Sequence, residues 1–184
     1  AVPALMPLLR DDQSSVQLAA VRALGASGNP VAISGYPANG EPDVPAGLRE
    51  LMNSRHEEVR WAALTALASL RDEMAILELI RLTEDVQPQV RGRAVHAMGQ
   101  SGHRRLIDPL IRKSWTESND VVKREILDAL SALVPVEQHP ACETGLVVAA
   151  SIDDKIQCWV AWWDARRPKS AVASPRNDGA EGIR

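Results

Sequence analysis

The stretch Val59-Arg-Trp-Ala-Ala-Leu-Thr-Ala-Leu-Ala68 decides the fold of this chain because it returns along the sequence in recognisable copies. Three copies keep its initial Val and its penultimate large apolar residue, and a fourth is degenerate: Val16-Gln-Leu-Ala-Ala-Val-Arg-Ala-Leu-Gly25, Val90-Arg-Gly-Arg-Ala-Val-His-Ala-Met-Gly99, Val122-Lys-Arg-Glu-Ile-Leu-Asp-Ala-Leu-Ser131 and Ile156-Gln-Cys-Trp-Val-Ala-Trp-Trp-Asp-Ala165. Self-similarity at a regular spacing indicates one supersecondary unit stacked on copies of itself.

Each of these ten-residue copies, which we call repeat phrases, predicts an amphipathic helix. Counting the first residue as position 0, apolar residues fall at positions 0, 4, 5 and 8 of the first four phrases, which is one stripe of a helix. A second short amphipathic segment precedes each phrase, and these segments span residues 2–9, 44–52, 74–82, 106–112 and 141–150. Each unit is therefore predicted to be an antiparallel helical hairpin.

The spacing of the phrases sets the predicted domain organisation. Successive phrases begin 43, 31, 32 and 34 residues apart. The long first interval contains a run rich in Pro and Gly, which cannot continue a helix, so we predict an inserted surface loop over 29–43. The hairpin units are predicted at 1–28, 44–70, 74–102, 105–135 and 140–165, followed by a flexible tail over 166–184 that is rich in Pro, Ser, Gly and charge.

Residues with strong boundary preferences flank the phrases. Pro88 suits a first helical turn, and Asn119 and Asp153 stand where an N-cap would accept free amides. Glycines that can adopt the left-handed conformation ending a helix lie at or after the phrase ends: Gly25, Gly28, Gly99 and Gly102. Alanines at positions 4 and 7 of the first three phrases would let neighbouring helices approach closely.

The composition places the chain among soluble single-domain proteins. Of 184 residues, 45% are hydrophobic and 24% charged, with no Phe, which favours close helix packing over an aromatic core. A net charge of -3 argues against nucleic acid as the partner. The sequence shows no bilayer-spanning apolar run and no signal peptide, so a cytoplasmic location is favoured; an exported one would require that an upstream signal had been removed.

The two cysteines, Cys142 and Cys158, are both expected in the last hairpin. If that hairpin turns near Asp153, they differ in height by about five residues, or roughly 7 Å at the helical rise per residue. We therefore expect two buried thiols and no disulfide. No cysteine and histidine spacing typical of zinc is present, so no metal is expected.

Together with the segments ahead of them, the repeat phrases resemble the HEAT repeat family, in particular the short HEAT-like units also found in phycobilisome lyases. The matching features are a Pro and spaced leucines in the first helix, an Asp five residues before the phrase Val, a basic residue after that Val, and Ala at positions 4 and 7. The resemblance implies an all-α, armadillo/HEAT-like fold over residues 1–165: a right-handed α-solenoid of about five antiparallel hairpins. The last phrase departs most, which is typical of a capping repeat.

In this family the second helix of each hairpin lines the concave surface, so the positions opposite the apolar stripe, 2, 3 and 6, form the candidate partner-binding row. Its members are Arg22, Trp61, Thr65, Arg93, His96, Arg124, Asp128, Trp159 and Trp162. Exposed aromatic and arginine side chains are typical of protein-binding hot spots.

Packing roles compete with this interpretation of the row. Trp61 and Trp159 could equally fold over neighbouring repeats, and Trp162 favours a capping role. Basic residues directly after the phrase Val are expected to pair with acids between hairpins, such as Asp85 or Glu117; these are Arg60, Arg91 and Lys123.

No catalytic constellation stands out, so we expect no enzyme activity and no cofactor. The pair His56-Glu57 invites comparison with deoxyhypusine hydroxylase, a HEAT-like enzyme with several His-Glu iron ligands, but this chain has one such pair and it precedes the phrase. The other histidines are isolated, and the paired acids between helices fit helix N-termini.

These observations predict a non-catalytic protein-interaction or scaffold module, a subunit or domain of a larger assembly, that binds a protein through its concave row. One alternative is a HEAT-like nucleic-acid-binding protein or DNA glycosylase, for which Trp61, Arg93, Arg124 and Asp128 supply suitable side chains but the net charge does not. A further alternative, a bilin-lyase-like subunit, rests on the repeat subtype alone. The sequence leaves the oligomeric state open.

Overall fold

The computed structural model describes residues 2–27, 43–142 and 151–166, whose regular structure is entirely helical. The α-helices are α1 (Val2–Leu5), α2 (Ser14–Ala26), α3 (Val44–Leu51), α4 (Glu57–Ser69), α5 (Glu73–Leu82), α6 (Pro88–Gln100), α7 (Ile107–Thr116), α8 (Asp120–Leu133) and α9 (Ile152–Asp164). Short 3-10 helices span Pro7–Arg10, Arg104–Leu106 and Val136–Gln138. Four predicted features lie wholly or mostly outside the described residues: Gly28 as a helix end, the loop apart from Asp43, the tail apart from Arg166, and most of the segment over 141–150.

Consecutive helices pair and the pairs stack. Helices α3 and α4, α5 and α6, and α7 and α8 form antiparallel hairpins, while α1 and the first 3-10 helix pack against α2. The helices that carry the first four phrases form a continuous row, in which α2 contacts α4, α4 contacts α6, and α6 contacts α8. The chain is an all-α solenoid, as the repeats predict.

The two-sided character of the phrase helices is confirmed. Of the sixteen residues at positions 0, 4, 5 and 8 of the first four phrases, all are buried except Val16 and Val90, which are half-buried. None of the residues at positions 2, 3 and 6 of these phrases is buried. One side of the row therefore forms the hydrophobic core, and the other side stays open.

The turn before each phrase repeats the same contacts, which explains the Asp and the basic residue of the pattern. The residue five places before the phrase Val accepts a backbone N–H two residues further on at 2.8 to 3.2 Å; these acceptors are Asp11, Ser54, Asp85 and Glu117. In the first three turns, the carbonyl of that residue also accepts a bond from the side chain at position 1, which is Gln17, Arg60 or Arg91. The pattern thus fixes the entry of each phrase helix.

Two of the predicted helix-ending glycines have a different role. Gly25 and Gly99 lie inside α2 and α6, where a Cβ would stand 2.9 Å from the Cβ of Ala66 and 2.8 Å from the Cα of Ala129, respectively. These contacts join position 9 of one phrase to position 7 of the next. Glycine is required there by the close approach of helices. Gly102, by contrast, has φ +66° after the end of α6, as predicted.

Helix α9 caps the stack, although its orientation differs from the expectation. Its buried residues are Ile156, Trp159 and Trp162, and it packs on α7 and α8. The indole Nε1 of Trp163 donates to Asp108 Oδ1 of α7 at 3.1 Å. The fifth phrase therefore turns positions 0, 3 and 6 inward, because its large indoles cover the end of the core.

Of the two N-cap predictions, the one for α8 is confirmed and the one for α9 is wrong. Asn119 caps α8 as predicted, accepting from Val121 and Val122. The cap of α9 is Ser151, in a capping box with Asp154, and the prediction of Asp153 was wrong. Asp153 instead accepts from the Lys123 ammonium at 2.6 Å and links α9 to α8.

The cysteines form a disulfide, so the expectation of two free thiols was wrong. Cys142 and Cys158 are bonded, with their Cα atoms 6.4 Å apart. The argument from helical rise failed because Cys142 does not lie on a helix. It follows the 3-10 helix Val136–Gln138 in a turn, from which it reaches α9 directly.

Candidate functional site

The open side of the phrase helices forms a groove with a cavity of about 1000 Å³. Small residues of α2, α4 and α6 make its floor: Gly25, Ala26, Ala62, Ala66, Gly92 and Ala97. Polar and charged side chains from α2, α4, α6 and α8 stand around this floor. We call this feature the concave groove.

The centre of the concave groove holds a fixed indole. Trp61 of α4 donates its Nε1 hydrogen to Glu57 Oε1 at 3.2 Å, one helical turn earlier. The guanidinium of Arg93, from α6, lies 5.4 Å from the Trp61 ring centroid and pairs with the same Glu57 carboxylate. Because two neighbours hold its half-buried ring, Trp61 is preorganised in the groove.

A second polar cluster joins α6 to α8. Nε2 of His96 lies 2.8 Å from the side-chain nitrogen of Gln100, and Nδ1 lies 3.4 Å from Glu125 Oε2. The His96 ring therefore bridges Gln100 of its own helix and Glu125 of α8. The cluster marks the α8 end of the groove.

Several polar groups in the groove are left for an incoming molecule. Arg22 and Glu58 make no ion pair or side-chain hydrogen bond within the described part of the chain. The hydroxyls of Thr65 and Ser69 donate to the carbonyls of Trp61 and Thr65 at 2.9 and 3.0 Å. Their oxygens therefore remain as hydrogen-bond acceptors.

The structure brings together five residues of the predicted row and separates the other four. Lining the concave groove are Arg22, Trp61, Thr65, Arg93 and His96. Arg124 and Asp128 are exposed on α8 but lie outside the cavity, and the α8 residues that line it are Val121, Val122 and Glu125.

Two tryptophans of the predicted row belong to the core. Trp159 is 0% and Trp162 is 8% exposed, and their rings contact each other at 5.4 Å between centroids. Their placement in an open row was wrong because the last helix has a core to cover. That packing turns the bulky members of the fifth phrase inward.

One acidic residue beside the groove was missed by the sequence argument, which assigned it to a helix end. Glu57 does begin α4, but its carboxylate also holds Trp61 and Arg93. A signal was present, because Glu57 and Trp61 are four residues apart and therefore share a face of the helix.

Two of the three basic residues after the phrase Val pair with acids between hairpins, as expected: Arg91 with Glu117 and Lys123 with Asp153. The expectation was wrong for Arg60, which pairs with no acid among the described residues and donates to the Ser54 carbonyl at 2.7 Å. Both carboxylate oxygens of Glu117 accept from Arg91 at 2.8 Å, and their side chains are 1% and 13% exposed. The hydrogen bond from Arg91 holds the pKa of Glu117 at about 2, against the opposing effect of burial. This pair ties α6 to the turn between α7 and α8 and takes no part in the groove.

Within residues 2–27, 43–142 and 151–166, no group of three or more His, Cys, Asp or Glu side chains is placed to hold a metal ion. His56 stands at the N-cap position of α4 and accepts from Arg55 at 3.1 Å. In the same residues, no helix combines the length and the apolar character needed to cross a bilayer.

Comparison with known families follows the same repeats. A family model described as HEAT repeats matches residues 45–131, and a second, described as HEAT repeat, matches residues 1–27. The chain belongs to the HEAT repeat family. HEAT repeats generally mediate protein–protein interaction or scaffolding.

Solved structures include one similar to this HEAT-repeat chain, the crystal structure of an engineered protein from the Northeast Structural Genomics Consortium. The two are 15% identical in sequence and superpose with a TM-score of 0.39, covering 89% of this chain and 96% of that one. No curated protein matches the chain significantly.

Proposed function

We propose that this HEAT-repeat chain is a non-catalytic docking module, a subunit or domain of a larger assembly, that binds a protein partner in the concave groove. The observation that carries the proposal is the preorganised Trp61, held at the centre of an otherwise small-residue floor. A large rigid ring beside open space is the arrangement that protein partners use as an anchor point.

The energetics of the groove support protein docking. Immobilising a free side chain on binding costs about 0.5–1.5 kcal/mol, and Trp61 is already held by Glu57 and Arg93. Gly92, which lines the same groove, leaves space, because a Cβ added there would meet its nearest neighbours only at 4.0 Å. A partner's apolar side chain can therefore enter the groove and contact the indole.

Nucleic acid is the less favoured occupant. Of the four side chains that suggested a glycosylase, Arg124 and Asp128 stand outside the cavity. The third, Arg93, is already paired with the carboxylate of Glu57, and the chain carries a net charge of -3. A groove that tracks phosphates needs several uncompensated cations, and these residues do not supply them.

A site-specific photo-crosslinking experiment in the native host tests the proposal. A crosslinking residue at Thr65, within the groove, should trap a defined protein, and one at Leu77, which is 60% exposed on α5 outside the groove lining, should not. Trp61→Ala should weaken capture by tenfold or more, the range of an anchor residue. Trp115→Ala is the matched control, because Trp115 is 63% exposed and does not line the groove. Equal capture by both alanine variants would refute docking at the groove.

A further inference from the structure

The charges of the concave groove are ordered along the stack of helices. Arg22 is the cation of its α2 end, and it has no ion-pair partner among the residues that the structure describes. Carboxylates follow further along: Glu58 on α4 and Glu125 on α8. The cation between them, Arg93, is matched by Glu57. The groove therefore runs from positive at α2 to negative at α8.

Glu125 pairs with no Lys or Arg among the residues that the structure describes. Its one ion-pair contact there is with Nδ1 of the His96 imidazole, at 3.4 Å. Arg124, although adjacent in sequence, lies outside the cavity. A molecule within the groove thus meets a carboxylate at the α8 end.

The acceptors on the floor favour an extended polypeptide. The oxygens of Thr65 and Ser69 can only accept, because their hydrogens bond the carbonyls of their own helix. The interior N–H groups of a helical partner are used internally, whereas an extended segment presents free N–H groups along its length.

Helix spacing sets the length of such a segment. Packed helices lie roughly 8–10 Å apart, so the three steps from α2 to α8 separate Arg22 from Glu125 by roughly 24–30 Å. An extended chain advances about 3.3 Å per residue, which corresponds to about eight residues.

We infer that the partner presents an extended segment with an acidic residue over Arg22, a basic residue about eight positions away over Glu125, and an apolar side chain between them against Trp61 and Gly92. This inference rests on the proposed docking function and specifies the chemistry of the same groove. Opposite charges at the two ends also fix the direction in which the segment lies, since the reversed segment would bring like charges together.

Selection from a displayed library of random 12-residue peptides tests the inference with a defined probe. On the wild-type protein, enriched peptides should carry an acid and a base about eight residues apart, in one order, with an apolar residue between. Arg22→Glu should select a base in place of the acid, and Glu125→Lys should select an acid in place of the base. Arg124→Glu, an exposed change on α8 outside the cavity, should leave the selected pattern unchanged.

Binding of one enriched peptide gives the magnitude. Because exposed ion pairs are individually weak, replacing attraction by repulsion at Arg22 should weaken binding only about three- to tenfold at low salt. Reversing the matching charge of the peptide should restore it, and 0.5 M salt should shrink the difference. Circular dichroism of each variant confirms that the fold is retained.

The outcomes separate the two proposals. If no peptide is enriched, or if enrichment survives Trp61→Ala, the groove is not a docking site and the proposed function fails. If enriched peptides depend on Trp61 but show no charge order, or ignore the reversal at Arg22, docking stands and the ordered extended segment is overturned.

Discussion

Glycine meets two different needs in these repeats, and the surroundings of each glycine separate them. Gly99 lies within α6, where the next helix approaches too closely for a side chain. A Cβ added at Gly102 would have nothing within 4 Å, and the φ of +66° at this residue explains its presence. Gly92 meets neither condition, since a Cβ there would make only ordinary contacts at 4.0 Å and its backbone is ordinary helix. Substitution by alanine should therefore give different results at these positions.

Alanine substitution within α6 should change stability in opposite directions at two sites. Gly99→Ala should destabilise by about 1–3 kcal/mol, because its methyl would overlap the backbone of Ala129. Gly92→Ala should stabilise by up to about 1 kcal/mol through helix propensity alone. Urea unfolding of both variants measures the difference. A stabilised Gly99→Ala variant would show that α6 and α8 can separate freely.

Arg71 occupies the position where the first and third repeats have glycine. It is twelve residues after the phrase Val, as Gly28 and Gly102 are, and its φ is 62°. Its N–H and that of Asp72 bond the carbonyls of Ala68 and Leu67, which closes α4 in a Schellman-type end. A left-handed backbone costs a side-chain-bearing residue about 1–2 kcal/mol.

Arg71→Gly should therefore stabilise the protein by about 0.5–1 kcal/mol, after the greater flexibility of glycine in the unfolded chain is subtracted. Arg71→Ala is the matched control and should bring no such gain, because alanine keeps the Cβ that opposes this backbone. Thermal unfolding of the two variants makes the comparison. If alanine stabilised the protein more than glycine does, the effect would come from loss of the Arg71 charge and not from the backbone conformation.

At the scale of the helix, the repeat phrase predicts which face is buried in the first four phrase helices but not in α9. The same ten positions that turn 0, 4, 5 and 8 inward in the first four phrases turn 0, 3 and 6 inward here. In the stacked repeats, small residues at the helix contacts decide which face is buried. In the terminal helix, burial of two indoles outweighs that pattern because these rings carry the largest apolar area.

The disulfide should hold α9 on the stack. Cys142 and Cys158 are 16 residues apart, and closing a loop of that size is worth about 3 kcal/mol in the chain-entropy model. Reduction should therefore raise the frequency of α9 opening by about 100-fold, while Ile156, Trp159 and Trp162 keep the helix docked for most of the time.

Hydrogen exchange read by mass spectrometry measures that opening. A dithiol reductant should accelerate exchange in peptides from α9 and leave those from α4 unchanged. The double variant Cys142→Ser, Cys158→Ser should show the fast exchange without reductant and no response to it. Equal protection of α9 in the oxidised and reduced protein would show that the disulfide does not hold α9 on the stack.

Across the whole molecule, the sequence predicted the structural features that the repeats share and missed those that occur at a single place. The hairpins, the stripe and the recurring turn follow from the phrase because each copy meets the same neighbours. The capping face of α9, the disulfide and the bridge from Glu57 to Arg93 depend on single residues at particular places. For the groove, the phrase identified Trp61 and Arg93. Which α8 residues line the cavity depends on the curvature of the helix stack, and the spacing of apolar residues does not encode that curvature.

Nearest-neighbour contacts hold a solenoid together, so one buried ion pair at a seam affects the stability of the stack. Arg91 and Glu117 form such a seam between the third and fourth hairpins. Both side chains are largely buried, and Lys113 Nζ lies 3.7 Å from the same carboxylate, so removal of Glu117 takes an anionic partner from two buried cations. The folded-state pKa of Glu117, about 2, makes this seam sensitive to acid.

Glu117→Gln should remove part of the dependence of stability on pH. The pKa is about 2 in the folded chain against 4.5 for the free group, so the contribution of Glu117 is present above pH 4.5 and is lost as the pH falls toward 2. At neutral pH the variant should be less stable by about 3 kcal/mol, and the difference from wild type should shrink by up to about 1.4 kcal/mol per pH unit within that window. Denaturant midpoints from pH 7 to 2.5 measure it. Glu78→Gln is the control, because Glu78 pairs with Arg81 of the same helix, whose side chain is 68% exposed, and its effect should stay below about 1 kcal/mol. A constant difference between wild type and Glu117→Gln across the window would show that the carboxylate does not hold the seam through its charge.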